Sequence, residues 1–316
     1  MKKILITGAL GQIGTDLTVY MRERYGDENV IPSSRTIPDD HFLLKKGPVE
    51  KVDVLSRAAL ERVVKEYSIT HIIHLAAILS AKGEENPQMA WDINMNGLLN
   101  VLEVARENDL AVLTPSSIAV FGPDTPKEET PQDTIMRPTT IYGISKVSGE
   151  LLADYYYERF GVDTRGIRFP GLISSEAKPG GGTTDYAVHI FYEALKNKHY
   201  KSFIDKGTYM DMMYMPDALR AIVELLEADP EKLIHRNAFN ITAMSFDPEE
   251  LADEIKKHIP EFTLAYDVNP GVQKIAESWP NSLDDSEARK QWGWKPEYGI
   301  ESMVSDMIEK LKKKGV

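Results

Sequence analysis

Short, continuously apolar runs alternate with amphipathic stretches through the first half of the chain. Runs at 4–7, 30–32, 71–75 and 111–115 read as strands, and the stretches near 13–25, 56–67, 92–108 and 145–160 carry the three-to-four spacing of helices. Strands that are apolar at successive positions have both faces covered. The alternation therefore predicts an α/β fold built on a doubly wound parallel sheet. The pattern continues with a strand over 164–169 that stops at Pro170-Gly171, and a loop over 174–184 rich in Gly, Ser and Thr. A helix over 186–196, strands at 212–214 and 239–241, and a helix near 217–227 follow. Asp247-Pro248-Glu249-Glu250 has the capping acid, first-position proline and acidic first turn of a helix start, predicting a helix over 248–258. Pro270, Pro280 and Pro296 then divide the chain into short pieces before a final helix near 300–313, and residues 312–314 read as a solvated tail. No internal repeat is found.

The first strand runs into Gly8-x-x-Gly11-x-x-Gly14, which opens the first helix. Glycine lets the backbone turn sharply and approach a pyrophosphate, whose charge then sits at the helix N-terminus. This predicts dinucleotide binding. Residues 1–170 plus about 208–244 are read as the dinucleotide-binding domain, and about 171–207 plus 245–316 as a smaller α/β C-terminal substrate-binding lobe.

Composition narrows the chemistry. The 316 residues carry a formal net charge of −12, which argues against nucleic-acid or anionic-membrane partners. There is no cysteine, so disulfides and thiolate chemistry are excluded, and no metal site is read. No apolar run approaches a membrane span, and glycines interrupt the run after Met-Lys-Lys, so a cytoplasmic strand is expected rather than a secretory leader.

Tyr142 and Lys146 are four apart and share a helix face. A fixed ammonium, with the positive nicotinamide ring, would favour the phenolate of a tyrosine whose ordinary pKa is about 10. Ser116-Ser117 closes the fourth strand-like run, where carboxyl ends of strands line the ligand crevice. A serine there either donates to a substrate oxygen or satisfies local backbone.

Together, the glycine turn, His74-Leu75-Ala76-Ala77, Asn94, Ser116-Ser117 before Val120-Phe121-Gly122, and Tyr142-x-x-x-Lys146 resemble the extended short-chain dehydrogenase/reductases, members of the NAD-dependent epimerase/dehydratase superfamily with a Rossmann core. The stretches 76–82, 115–123, 168–174, 182–186, 212–216 and Trp279-Pro280 are similar to those of its short-chain L-threonine 3-dehydrogenases. The resemblance implies oxidation of the 3-hydroxyl of L-threonine to 2-amino-3-ketobutyrate with NAD. It implies Tyr142 as acid/base, Lys146 as ribose ligand and support of the phenolate, and Ser117 as the group orienting the hydroxyl. Gly8, Gly11, Gln12, Ile13 and Gly14 would bind the pyrophosphate, and Asp53 and Val54 would flank the adenine. Leu75, Ala76, Ala77 and Pro170 would also line the cofactor site, with Asn94 steadying the helix behind the lysine. Ser80, Ser116, Thr183, Thr184 and Trp279 would surround the amino acid. Trp279 reads equally as core, and Asp185 as an ammonium partner or a helix cap.

The chain departs from the pattern at the second strand, which ends Ser33-Ser34-Arg35 without the acid that usually holds the adenosine ribose. Ser34 and Arg35 are read as cofactor residues there. NAD is expected, and the absent acid with a nearby cation leaves NADP open. A nucleotide-sugar epimerase or dehydratase is the alternative enzyme, although the second lobe shows no basic cluster for a nucleotide diphosphate. A non-catalytic dinucleotide sensor would be expected to lack Tyr142, Lys146 or Ser117, all present here. Helices near 92–108 and 145–160 leave a homodimer possible.

Overall fold

A computed structural model describes residues 2–176 and 181–316. Its centre is a six-stranded sheet in the spatial order Glu50–Lys51, Val30–Ser34, Ile4–Thr7, His71–His74, Ala111–Leu113, Thr164–Arg165, every pairing parallel. Numbered along the chain, the sheet's own strands run 3-2-1-4-5-6. The order reverses beside Ile4–Thr7, and the crevice at such a reversal is where α/β sheets bind ligands. Ile4 and Ile6 pack on one face with Leu17, Met21, Ile222, Leu225 and Trp294, while Leu5 packs on the other with Ile72, Val101, Leu102 and Val112. Both faces are covered, which is why these strands lack polar alternation.

Two of the expected strands are broken, and the breaks build the site. The fifth ends at Leu113, before Pro115, which has no N–H to continue a ladder. Ser116–Ser117 then pairs with Ile167–Phe169 in a separate three-stranded sheet completed by Phe239–Asn240. The sixth is interrupted at Gly166, whose N–H donates to the Arg236 carbonyl at 2.8 Å. A Cβ there would stand 2.3 Å from the Asn237 carbonyl oxygen, so the crossing of the two segments needs glycine. Beyond the expected strand end at Pro170-Gly171, Gly171–Ile173 forms another sheet with Met210–Tyr214 and Met244–Phe246.

The expected helix over 145–160 begins earlier, as Ile141–Phe160, because the Thr140 side chain caps it by accepting from the Gly143 N–H at 3.1 Å. The stretch 92–108 is a π-turn, Asp92–Asn96, between helices Pro87–Trp91 and Gly97–Asn108. Asp247 caps Pro248–His258 as its sequence suggests, accepting from Glu250 N–H at 2.8 Å.

A third core gathers Ile173, Tyr186, Phe191, Met212, Leu251, Met303 and Leu311 around the later helices. The final helix, Ile300–Lys313, lies against it, and Lys314 is not a free tail: its Nζ donates to the Ser175 carbonyl at 2.8 Å and pairs with Glu176 at 2.6 Å. Elements unseen in the periodicity are the parallel pair His199–Ser202 and Thr263–Tyr266, and the helices Pro270–Ala276 and Ser286–Trp292. Among the described residues no helix is long and apolar enough to cross a membrane.

Candidate active site

The glycine turn leaves the first strand at Gly8, whose φ of +69° is in the left-handed region, and a Cβ there would lie 2.6 Å from the Ala76 nitrogen. Gly14 lets the helix pass over the turn, since a Cβ would come within 2.6 Å of Ala9 Cα and the Gly8 oxygen. Gly11 occupies the N-cap of Gln12–Tyr25 without a side chain to cap it, and the first turn has no acid. The leading N–H groups of a helix lack intrahelical acceptors, so they face the crevice ready for an anion. Gln12 Nε2 is buried without a hydrogen-bond partner among the described residues. These residues fit a pyrophosphate.

A cleft of about 230 Å³ runs from this turn past Leu75, Ala77, Ser117, Tyr142, Lys146 and Pro170 to Ser80, Thr183, Thr184 and Trp279. Tyr142 is in the first turn of Ile141–Phe160, and Lys146 lies one turn on. The Ser117 hydroxyl lies beside the Tyr142 phenol, where it favours the ionised form, and accepts from Ala119 N–H at 3.2 Å. The Lys146 ammonium donates to the Pro115 carbonyl at 2.6 Å and lies 5.6 Å from the centroid of the Tyr142 ring. Burial pushes the phenol up to about 12, against the opposing effect of Ser117. Burial prevails here, and Lys146 gives its hydrogen bond to Pro115 rather than to the phenol. Burial also brings Lys146 down to about 8, opposed by the carboxylate of Glu150.

Asn94 sits in the π-turn and bridges two segments. Its Oδ1 accepts from Ile78 N–H at 2.8 Å, and its Nδ2 donates to the Ile78 carbonyl and to Ser145 Oγ, both at 3.1 Å. It therefore fixes the helix beside Lys146 through direct side-chain hydrogen bonds. Asn94 and Ala76 lie off the main cleft, on a small polar cavity behind Lys146. Sequence reasoning missed His74 as a lining residue: it is buried, shares a 2.8 Å hydrogen bond between its Nδ1 and Thr7 Oγ1, and is held neutral by burial, its pKa brought down to about 3. Leu79, Ile118, Phe169 and Leu172 are further apolar lining missed for lack of a local motif.

At the far end, Thr183 Oγ1 is buried without a partner among the described residues. Trp279 is nearly buried, packs with Ile118, Phe121 and Tyr142, and lines the cleft, so it is core and wall together. Asp185 does not cap the following helix: its Oδ2 accepts from Gly181 and Gly182 N–H at 2.8 and 2.7 Å, folding the loop back on itself. Part of the expected 174–184 loop, residues 177–180, lies outside the described residues. Ser116 borders the cleft, but its hydroxyl donates to Glu150 at 2.5 Å.

The model of the NAD-dependent epimerase/dehydratase family matches residues 4–242. The chain belongs to that family. NAD is accordingly its cofactor. The chain is similar to the X-ray structure of L-threonine dehydrogenase from Clostridium difficile, with 60% identity, a TM-score of 0.98, and 100% of this chain and 99% of that one covered. It is also similar to the GalE-like L-threonine dehydrogenase of Cupriavidus necator in its holo form, at 49% identity and a TM-score of 0.95, covering 98% of this chain and 99% of that one. An uncharacterized epimerase/dehydratase of Staphylococcus saprophyticus is 54% identical over 314 residues, 99% of this chain and 98% of its own length.

In this family member the residues read for the adenosine end stand apart from the cleft. Ser33 is spent on the sheet, its hydroxyl donating to the Ile6 carbonyl at 3.1 Å. That leaves half-buried Ser34 and exposed Arg35 at the strand end. Asp53 accepts from Leu55 N–H at 3.0 Å, and Val54 is buried against Gly97, where a Cβ would meet it at 2.9 Å.

Proposed function

We propose that this family member oxidises the 3-hydroxyl of L-threonine to 2-amino-3-ketobutyrate. The observation that carries the reading is the 60% identity to the Clostridium difficile L-threonine dehydrogenase across the whole chain. The geometry supports it. Among the described residues that line the cleft, Lys146 is the single lysine or arginine, and the far end offers Ser80, Thr183, Thr184 and Trp279. Hydroxyls and an aromatic wall suit a small amino acid. A nucleotide-sugar substrate would bring a second diphosphate, for which this lining has no cation.

The Gly8–Gly14 turn, with the N-terminus of Gln12–Tyr25, would hold the pyrophosphate, and Lys146 would donate to the ribose hydroxyls. NAD held there would supply the acceptor for the β-carbon hydride and a positive charge near Tyr142. Ser117 holds the substrate oxygen beside Tyr142. The Tyr142 phenolate takes the hydroxyl proton as the carbon–oxygen double bond forms. With the phenol otherwise at about 12, base strength is high but the phenolate fraction at neutral pH is small. Both the lysine and the cofactor charge act to increase it.

A thermal-shift comparison in the presence of NADH tests the substrate class. L-threonine stabilises the protein further and UDP-sugars do not; stabilisation by UDP-sugars alone refutes the reading.

A further inference from the structure

Glu150 lies one helical turn beyond Lys146 and is itself buried. Arg168 grips its carboxylate at both oxygens, Nε to Oε1 at 3.0 Å and Nη2 to Oε2 at 2.8 Å, with both side chains at most 4% exposed. Arg168 is fixed in turn, donating through Nη1 to the Gln132 carbonyl at 2.8 Å and to Asn240 Oδ1 at 3.1 Å. Such a pair is costly to bury and is kept in place only by complete hydrogen bonding. Here the remaining capacity of the carboxylate is directed at the site: Glu150 Oε1 accepts from Ser116 Oγ at 2.5 Å.

A serine has one hydroxyl proton, and Ser116 has committed it. Its neighbours are the two groups that arrange the site. The Pro115 carbonyl holds the Lys146 ammonium, and Ser117 lies beside the Tyr142 phenol and favours its ionisation. The segment is held to the sheet as well, with Ser116 opposite Arg168. Arg168, Glu150, Ser116 and Pro115 thus form one continuous support ending at Lys146.

We propose that Glu150 and Ser116 are positioning residues for the hydride-transfer site, and that Ser116 is a tether for the 115–117 segment rather than a contact to the substrate. The proposal rests on the reading above, in which Lys146 binds the cofactor ribose. Glu150 has a second effect through space. Its charge supports the protonated state of Lys146, which faces Tyr142, the neutral His74 and the Pro115 carbonyl on its other sides.

Two variants test it. Ser116→Ala leaves the Glu150–Arg168 pair intact, so it folds; Glu150→Gln keeps an acceptor for Ser116 and removes the charge. Fluorescence titration with NADH needs no substrate. Ser116→Ala weakens NADH binding at pH 7 by about fivefold, and with threonine lowers kcat by roughly tenfold or more while KM for threonine stays within about twofold. Glu150→Gln shifts the pH dependence of NADH binding to lower pH, because the neutral amide no longer supports the ammonium. Wild-type NADH affinity in Ser116→Ala, or a raised threonine KM with unchanged kcat, overturns the proposal. If Glu150→Gln does not fold, Ser116→Ala decides. If the unaltered protein binds NADH but does not oxidise threonine, the substrate reading fails and the NADH titration still decides this one.

Discussion

The Lys146 ammonium stands 5.6 Å from the centroid of the Tyr142 ring, one helical turn away, and gives its hydrogen bond to Pro115 instead. The two groups act on a common site without sharing a bond. Lys146 thus gives the phenol no hydrogen bond, and Ser117 is the neighbour that favours its ionisation.

Tyr142→Phe keeps the ring that packs with Trp279 and removes the phenol. Turnover falls by about 10²–10⁴-fold, the range for loss of a general base, while NADH affinity stays within about threefold. Stopped-flow rates and NADH titration on the same preparation check both halves.

The pH profile follows from the two shifted groups. With Tyr142 at about 12 the phenolate fraction grows with pH, so kcat/KM for alcohol oxidation rises from pH 6 upward. Lys146 loses its proton near 8, so the slope weakens above that pH. Lys146→Ala removes the break and lowers kcat/KM by about 10²-fold. Initial rates across pH 6 to about 9.5 test the sign and position of the change.

Asp16 tests the link between the first helix and the segment before the 177–180 stretch. Burial raises its carboxyl to about 6, against a 2.9 Å hydrogen bond donated by Ser174. A carboxyl raised in the folded state costs no stability below its ordinary value near 3.8, and stability is lost as pH climbs from there through about 6. Asp16→Asn is therefore more stable than the unaltered protein at pH 7.5, by up to about 3 kcal/mol or roughly 2–6 °C in Tm, and equal to it at pH 3.5. Calorimetry at the two pH values separates this from a uniform effect.

The glycines of the turn differ in what they do. Gly14→Ala forces a Cβ into the Ala9 backbone and lowers Tm by several degrees. Gly11→Ala meets only the Gly8 oxygen at 3.3 Å, so Tm is nearly kept while NADH affinity falls by about tenfold, because the lost close approach is to the phosphate. Melting curves and NADH titrations of both variants distinguish fold from binding.

What the sequence reveals here is what sits close together in it. The glycine turn and the Tyr142–Lys146 pair are local patterns, and helix geometry alone puts their side chains on one face. The link from Arg168 to Glu150 to Ser116 spans 18 and 34 residues and depends on where two strands end. Those ends are set by Pro115 and Gly166, which interrupt apolar runs that otherwise read as continuous. The short helices Pro270–Ala276 and Ser286–Trp292 are too brief for a periodic signal, and prolines nearby suggest only breaks. Lys314 reads as solvated because its partners, Ser175 and Glu176, lie nearly half the chain away.

The most direct test of the account is NADH formation by the purified protein given NAD and L-threonine. Steady production is expected, matched one for one by 2-amino-3-ketobutyrate or by the aminoacetone it yields on losing carbon dioxide, and reduced by about 10²–10⁴-fold in Tyr142→Phe. A folded protein that binds NADH yet forms none from threonine would contradict it.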